Sequence, residues 1–161
     1  MNLSTKKANW LTGSGIKLEF SQICEKVQAY SKDKSKIFIG TDSDVRKRKV
    51  IFCSAICIYG NSRSLYYFCR KKENNKIYPD LVSRITEEAR LSIEIAEHLH
   101  NVMGIDKSMI ELHLDVSPNH KDTKTSRISD ALKGYVTGTG YTCKLKPNAW
   151  ASQSVADRHS K

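Results

Sequence analysis

The sequence predicts an α/β fold built on a five-stranded mixed sheet, with helices on both faces and an extra helix near the N-terminus. Three apolar stretches joined by short turns come first, and helical and strand patterns then alternate to the end of the chain. This βββαβαβα order implies a sheet that is partly antiparallel and partly parallel. The 161 residues, 39% of them hydrophobic and 27% charged, suit a single globular domain over residues 1–161.

The first half of the chain supplies the antiparallel part of this sheet. Residues 1–15 look irregular, and apolar residues near helical spacing predict a short helix over residues 18–31. Strands are predicted at residues 36–41, 50–59 and 64–70. The middle stretch is apolar on both faces, as expected of an interior strand. Because the connections are short, the three strands should form an antiparallel meander.

The second half alternates helices and strands. Pro79 opens and Gly104 closes a long segment that predicts a helix over about residues 80–103. The remaining strands and helices are expected in turn at residues 109–115, about 126–136, 141–146 and 150–159. In this order of elements, the first and fourth strands should be parallel neighbours in the sheet.

The charge of the chain indicates an anionic partner. Lys and Arg number 27 against 17 Asp and Glu, which gives a formal net charge of +10. Nucleic acid is the leading candidate, and the alternative is a surface that is simply basic.

The cysteines and the apolar segments indicate a reducing, cytoplasmic setting. The five cysteines form an odd set without a CxxC pair, so the spacing typical of zinc ligands is absent. No apolar stretch approaches the roughly 20 residues that a membrane helix needs, and the first residues lack the apolar core of a signal peptide. We therefore expect a cytoplasmic protein with free thiols.

Two aspartates follow strands that should be parallel neighbours. Asp42 ends the first predicted strand and Asp115 ends the fourth. Their strand ends should lie side by side, where open α/β sheets bind ligands. Two-metal cleavage of phosphodiester bonds needs several carboxylates at one point, since hard cations such as Mg²⁺ prefer oxygen ligands. The alternative is that each aspartate merely starts a turn. Asp44 is a substitute candidate for the role of Asp42.

The long helix and the C-terminal helix supply further candidate acids. On a helical wheel Glu88 flanks the apolar stripe, whereas Glu87 and Glu94 point away from it and should be solvated. The alternative for Glu88 is a surface pair with Arg84. Asp157 is the candidate fourth acid, and its alternative is a solvated side chain.

One histidine shares a strand face with a candidate acid. His113 precedes Asp115 by two residues, so it could influence the metal ligands without contacting the metal. The competing interpretation is a structural, hydrogen-bonded histidine. No nucleophile elbow and no phosphate-binding P-loop motif is present.

The chain resembles the uncharacterised ribonuclease H-like family of bacteria and their phages, from about residue 14 to its end. The matching segments are IGTDS (39–43), RITEEA (84–89), HLD (113–115), KTS (124–126) and KLKPNAWASQSVADRHSK (144–161). The resemblance implies a ribonuclease H fold in which Asp42, Glu88 and Asp115 correspond to the acids of the first strand, the long helix and the fourth strand. It also implies that Asp157 takes the place of the fourth acid, on the C-terminal helix.

Basic residues near these acids suggest a substrate that carries phosphate groups. The candidate nucleic-acid-binding residues are Arg46, Lys47, Arg48, Lys121, Lys124, Lys144, Lys146 and Arg158. They could hold phosphates, and the competing interpretation is solvated charge. The expected function is a nuclease that uses Mg²⁺ or Mn²⁺ to cut RNA, RNA–DNA hybrid or structured DNA. The alternatives are a non-catalytic nucleic-acid-binding module and a protein-interaction domain with the same fold.

Overall fold

The structure, a computed structural model, describes residues 9–31, 35–47, 49–60, 64–74, 77–118 and 126–161. The strands are β1 (Trp10–Thr12), β2 (Lys17–Leu18), β3 (Lys36–Arg46), β4 (Lys49–Tyr59), β5 (Ser64–Asn74), β6 (Ile110–His113) and β7 (Thr142–Lys144). The helices are α1 (Phe20–Ser31), α2 (Leu81–Asn101), α3 (Ser126–Gly138) and α4 (Asp157–Ser160), with a 3₁₀ turn at Lys107–Met109 and a π-helical turn at Ala151–Ala156.

All of the strands belong to one mixed sheet in the order β2-β1-β5-β4-β3-β6-β7. The pairs β3–β4 and β4–β5 are antiparallel, whereas β3–β6 and β6–β7 are parallel. The mixed α/β fold and the parallel pairing of the first and fourth predicted strands are therefore confirmed. The expected count of five strands was wrong, because the sheet has seven strands in the described part of the chain.

The two additional strands come from the N-terminal part of the chain. Residues 1–15 were expected to be irregular, but Trp10–Thr12 pairs with β5 and with Lys17–Leu18. Trp10 explains the attachment, because its side chain is completely buried and stacks on Phe20 of α1. Such a short strand carries too few residues for its alternation to be visible in the sequence.

The larger hydrophobic core lies on the face of the sheet that is covered by α1, α2 and α3. Ile37 and Ile39 of β3 point into it, together with Ile110 and Leu112 of β6. The opposite face carries a smaller cluster around Cys53 and Cys57 of β4, which the C-terminal helical segment covers. Helices thus cover both faces, and β4 is buried along its length, as expected for an interior strand.

The C-terminal segment approaches the sheet through Gly40 of β3. A Cβ atom on Gly40 would lie 2.5 Å from the backbone nitrogen of Ser152 and 2.9 Å from the carbonyl carbon of Ala151. Only a residue without a side chain allows this backbone-to-backbone contact. Gly40 therefore lets the π-helical turn lie directly on β3.

Capping and apolar content account for the long helix. Asp80 precedes α2 and its Oδ1 accepts a 2.7 Å hydrogen bond from the backbone N–H of Ser83. The helix is amphipathic and buries Ile85, Ala89 and Leu99.

In the described part of the chain, no helix combines the length and the apolar character that crossing a membrane requires.

Candidate active site

Asp42 lies within β3 and not at its end. The strand continues to Arg46 because β3 and β4 pair along a long hairpin, in which Asp42 is opposite Cys53. The expectation that Asp42 ends the first strand was therefore wrong. On the other side of β3, however, the partner strand β6 has its last residue opposite Gly40. Asp42 thus occupies the point at which β3 loses one of its two neighbours.

The surroundings of Asp42 disfavour its charge. Its Oδ2 accepts a 2.9 Å hydrogen bond from the Ser160 hydroxyl of α4. Burial raises the pKa of Asp42, the Ser160 hydrogen bond opposes this rise, and the negative charge of Asp157 adds to it. Asp42 therefore faces the C-terminal helical segment and lies within electrostatic reach of a second carboxylate.

Glu88 reaches the same region from α2. Its side chain is 6% exposed, and its Oε1 accepts a 2.6 Å hydrogen bond from the Ser43 hydroxyl. Burial raises the pKa of Glu88 to about 8, and the nearby charge of Asp42 contributes to the rise. The positive charge of Arg84 lowers this pKa. Its guanidinium donates a 3.1 Å hydrogen bond to the Ser43 hydroxyl and not to Glu88 itself. Glu88 is thus buried beside Asp42, not solvated on the surface.

The other glutamates of α2 differ from expectation. Glu87 and Glu94 were expected to be solvated, but the Glu94 side chain is 8% exposed and that of Glu87 is 13% exposed. Arg90 pairs with both of them at 2.6 and 2.9 Å. The apolar stripe understates the buried arc of α2, because an ion pair can be buried where a single charge cannot.

Asp115 lies two residues beyond the end of β6 rather than at its end. The β3–β6 register pairs Gly40 with His113, so its continuation places Asp115 beside Asp42. Residues alternate between faces along a strand, and Leu114 belongs to the larger core. Asp115 therefore projects from the same face as Asp42. Its Oδ1 forms a 2.7 Å ion pair with Lys146, just beyond β7.

Asp157 is the first residue of α4, on the face of the sheet where Asp42 projects. Its Oδ2 pairs with Lys161 at 2.8 Å, one helical turn later. After burial, the negative charge of Asp157 is a second cause that raises the pKa of Asp42. The π-helical turn matters here, because it precedes α4 directly and so sets the position of Asp157 and Ser160.

The four candidate acids are brought into one region but do not form a closed ligand set. In the described residues, no three His, Cys, Asp or Glu side chains are grouped as a metal site. Two of the acids are neutralised by lysines instead, and carboxylates without a cation between them repel one another. The donor chemistry fits a hard divalent cation, since the groups that surround Asp42 supply oxygen atoms. The pKa values of Asp42 and Glu88 are raised by burial first and by a neighbouring negative charge second.

His113 has a structural role. Its Nδ1 accepts a 3.0 Å hydrogen bond from the backbone N–H of Ala151, so the proton resides on Nε2, which contacts Glu111 at 3.0 Å. Burial lowers the pKa of His113, which is consistent with a neutral ring. His113 thereby attaches the start of the C-terminal helical segment to β6.

The candidate nucleic-acid-binding residues are distributed unevenly. Lys144 and Arg158 are exposed near the acids, and Lys146 pairs with Asp115. Arg46 pairs with Asp44 at 2.7 Å and Lys47 forms the hairpin turn with a positive φ of 56°. Arg46 is four residues from Asp42, roughly 13 Å along the strand. Arg48, Lys121 and Lys124 lie outside the described residues.

Three further residues at the site were not singled out from the sequence. Ser160 and Ser43 donate to Asp42 and Glu88, and no sequence pattern marks them. Gly40 could have been found, because a glycine inside an apolar strand often marks a close approach of another backbone.

Comparison with known proteins agrees with the fold. Residues 19–161 match the family described as Ribonuclease H-like. The chain is 24% identical over 165 aligned residues to the uncharacterized protein YkuK of Bacillus subtilis (strain 168), and the alignment covers 92% of this chain and 94% of YkuK. No solved structure gives a significant match.

Proposed function

The chain belongs to the ribonuclease H-like family, and on this basis we propose that it is a metal-dependent nuclease that hydrolyses phosphodiester bonds in RNA, RNA–DNA hybrid or structured DNA. One observation carries the proposal. Asp42 lies within electrostatic reach of both Glu88 and Asp157, on the face from which Asp115 also projects. A protein gains no stability from such crowded carboxylates, so their arrangement favours a functional site.

Mg²⁺ or Mn²⁺ is the proposed cofactor, with Asp42, Glu88, Asp115 and Asp157 as its ligands. When bound, such ions supply an activated water and offset the charge that develops at the phosphate. The chain itself orients the ligands, because the Ser160 hydroxyl donates to Asp42 and the Ser43 hydroxyl donates to Glu88. The family membership supports a nucleic-acid partner, and the net charge of +10 agrees with it.

The basic residues would position the substrate and would not read its sequence. Lys144 lies opposite His113 of β6, Arg158 follows Asp157 directly, and both residues are exposed, so their charges are available to contact phosphates. Arg48, Lys121 and Lys124, which lie outside the described residues, are proposed to do the same. A cytoplasmic location is part of the proposal, since four of the cysteines are free thiols.

A non-catalytic nucleic-acid-binding module is the second candidate, and one observation favours it. Lys146 pairs with Asp115 and Lys161 pairs with Asp157, so an ammonium group already neutralises each of these acids. A protein that had lost its metal ions could be stabilised in this way.

Turnover of labelled oligonucleotides separates the two candidates. We expect cleavage of at least one RNA, hybrid or branched DNA substrate with Mg²⁺ or Mn²⁺, and its loss in Asp42→Asn and Asp115→Asn. Asp130→Asn is the matched control, because this exposed aspartate lies on α3, away from the site. Circular dichroism and thermal unfolding should show that all three variants fold. Salt-sensitive binding without cleavage would favour the binding module, and equal cleavage by Asp42→Asn and the parent would refute the assignment.

A further inference from the structure

An exposed tryptophan lies beside the candidate active site. Trp150 directly precedes the π-helical turn and is 38% exposed. The other tryptophan, Trp10, is completely buried at the far side of the sheet. A single exposed aromatic ring is common on protein surfaces, so the significance of Trp150 depends on the residues around it.

The ring of Trp150 is held in place by two other aromatic rings. Its centroid is 5.0 Å from that of Phe38 and 5.5 Å from that of His113, with interplanar angles of 57° and 74°. His113 is itself fixed by its hydrogen bonds to Ala151 and Glu111. The indole is therefore a rigid platform, and a ligand that stacks on it does not have to order it first.

Two lysines share this side of the sheet. Lys144 is paired in register with His113, and its charge adds to burial in lowering the pKa of that histidine. Cys143 and Leu145 pack against the larger core, so Lys144 and Lys146 project from the opposite face, where Trp150 lies. Lys146 also contacts Asp115. The lysines therefore connect the aromatic platform to the candidate acids.

We propose that Trp150, Lys144 and Lys146 form a subsite for an unpaired nucleic-acid strand. One base stacks on the indole, and the adjoining phosphates contact the two lysines. An aromatic ring with flanking cations is the arrangement by which proteins bind single strands without reading their sequence. The strand must be unpaired there, because a base within a duplex has no free face to offer. The direction of the strand towards Asp115 rests on the proposed nuclease function, but the subsite itself does not.

Intrinsic fluorescence tests the stacking directly. The probe is an oligothymidylate of about 12 nucleotides, titrated into the protein in EDTA so that metal-dependent cleavage cannot occur. We expect quenching that disappears in Trp150→Phe, because Trp10 is buried and inaccessible to the probe. A duplex of the same length should quench much less. Binding without quenching, or equal quenching in Trp150→Phe, would overturn the proposal.

Fluorescence anisotropy with a labelled probe tests the energetics. Trp150→Leu keeps apolar contacts with Phe38 but removes the stacking surface, and we expect it to weaken binding roughly 5- to 150-fold. Lys144→Gln should weaken binding and reduce the salt slope by about 0.7. Lys26→Gln is its matched control, an exposed lysine on α1 at the opposite face. Equal effects of the two lysine variants, or no binding by the parent, would overturn the subsite. Absence of cleavage alone would refute only the nuclease function.

Discussion

Replacing Gly40 by alanine should displace the segment that carries Asp157. The three atoms nearest to the added Cβ would be backbone atoms of Ala151 and Ser152, at 2.5 to 2.9 Å. Carbon atoms in ordinary contact are about 3.5 Å apart, so the π-helical turn must move by about 1 Å. Unlike the end of a flexible side chain, this backbone cannot turn aside.

The magnitude follows from this displacement. Overpacking of this kind costs about 1–3 kcal/mol, which lowers the melting temperature by about 2–12 °C for a chain of this size. A shift of about 1 Å at the acids can reduce turnover by about 100-fold. We therefore expect Gly40→Ala to lose most of its cleavage activity even at a temperature where the variant is still folded.

Thermal unfolding and metal-dependent cleavage, measured on the same preparation, provide the assay. Gly134→Ala is the matched control, because an alanine methyl group at this position of α3 would meet no atom of another element within 4 Å. This variant should be more stable by about 0.5–1 kcal/mol and equally active, since alanine favours helix over glycine. A Gly40→Ala variant with the stability and the activity of the parent would refute the reasoning.

Three other changes test neighbouring contacts. Without divalent ions, the unfolding equilibrium constant should rise by up to about tenfold per pH unit between pH 4.5 and about 8, because Glu88 binds its proton more tightly in the folded state. Glu88→Gln should flatten this pH dependence in denaturant titrations, and an unchanged slope would contradict the prediction. Ser160→Ala removes a hydrogen bond to the Asp42 carboxylate, so it should cost about 1.5–3 kcal/mol and shift the acid limb of the cleavage profile to higher pH; an unshifted limb would count against the contact. Lys146→Met frees Asp115 and should tighten Mn²⁺ binding in calorimetric titrations, whereas weaker binding would show that the lysine does not compete.

The sequence predicted the order of the main elements because long periodic segments carry a strong signal. The interior strand β4 was bounded to within one residue, since its apolar run begins after the charged residues 46–49 and ends at the turn residues 60–62. The short strand β1 was missed because three residues cannot display a period. The end of β3 was placed too early because its last residues are polar and paired by the hairpin.

The candidate acids followed from strand ends and a helical wheel, but their environment did not. The burial of Glu94 accompanies its ion pair with Arg90, which a helical wheel of apolar residues does not show. The contact of Ser160 with Asp42 joins residues 118 positions apart, so no local pattern reveals it. The proximity of Asp157 to Asp42 depends in turn on the π-helical turn, which helical periodicity does not predict.

Crystals soaked with Mn²⁺ would reveal whether these four acids bind metal, because the anomalous signal of manganese locates the ion independently of any activity. We expect a peak bounded by oxygens of Asp42 and Glu88, and a second bounded by Asp42 with Asp115 or Asp157, with Lys146 turned away from Asp115. Manganese bound elsewhere, with the lysine pairs intact and no peak at Asp42, would contradict it.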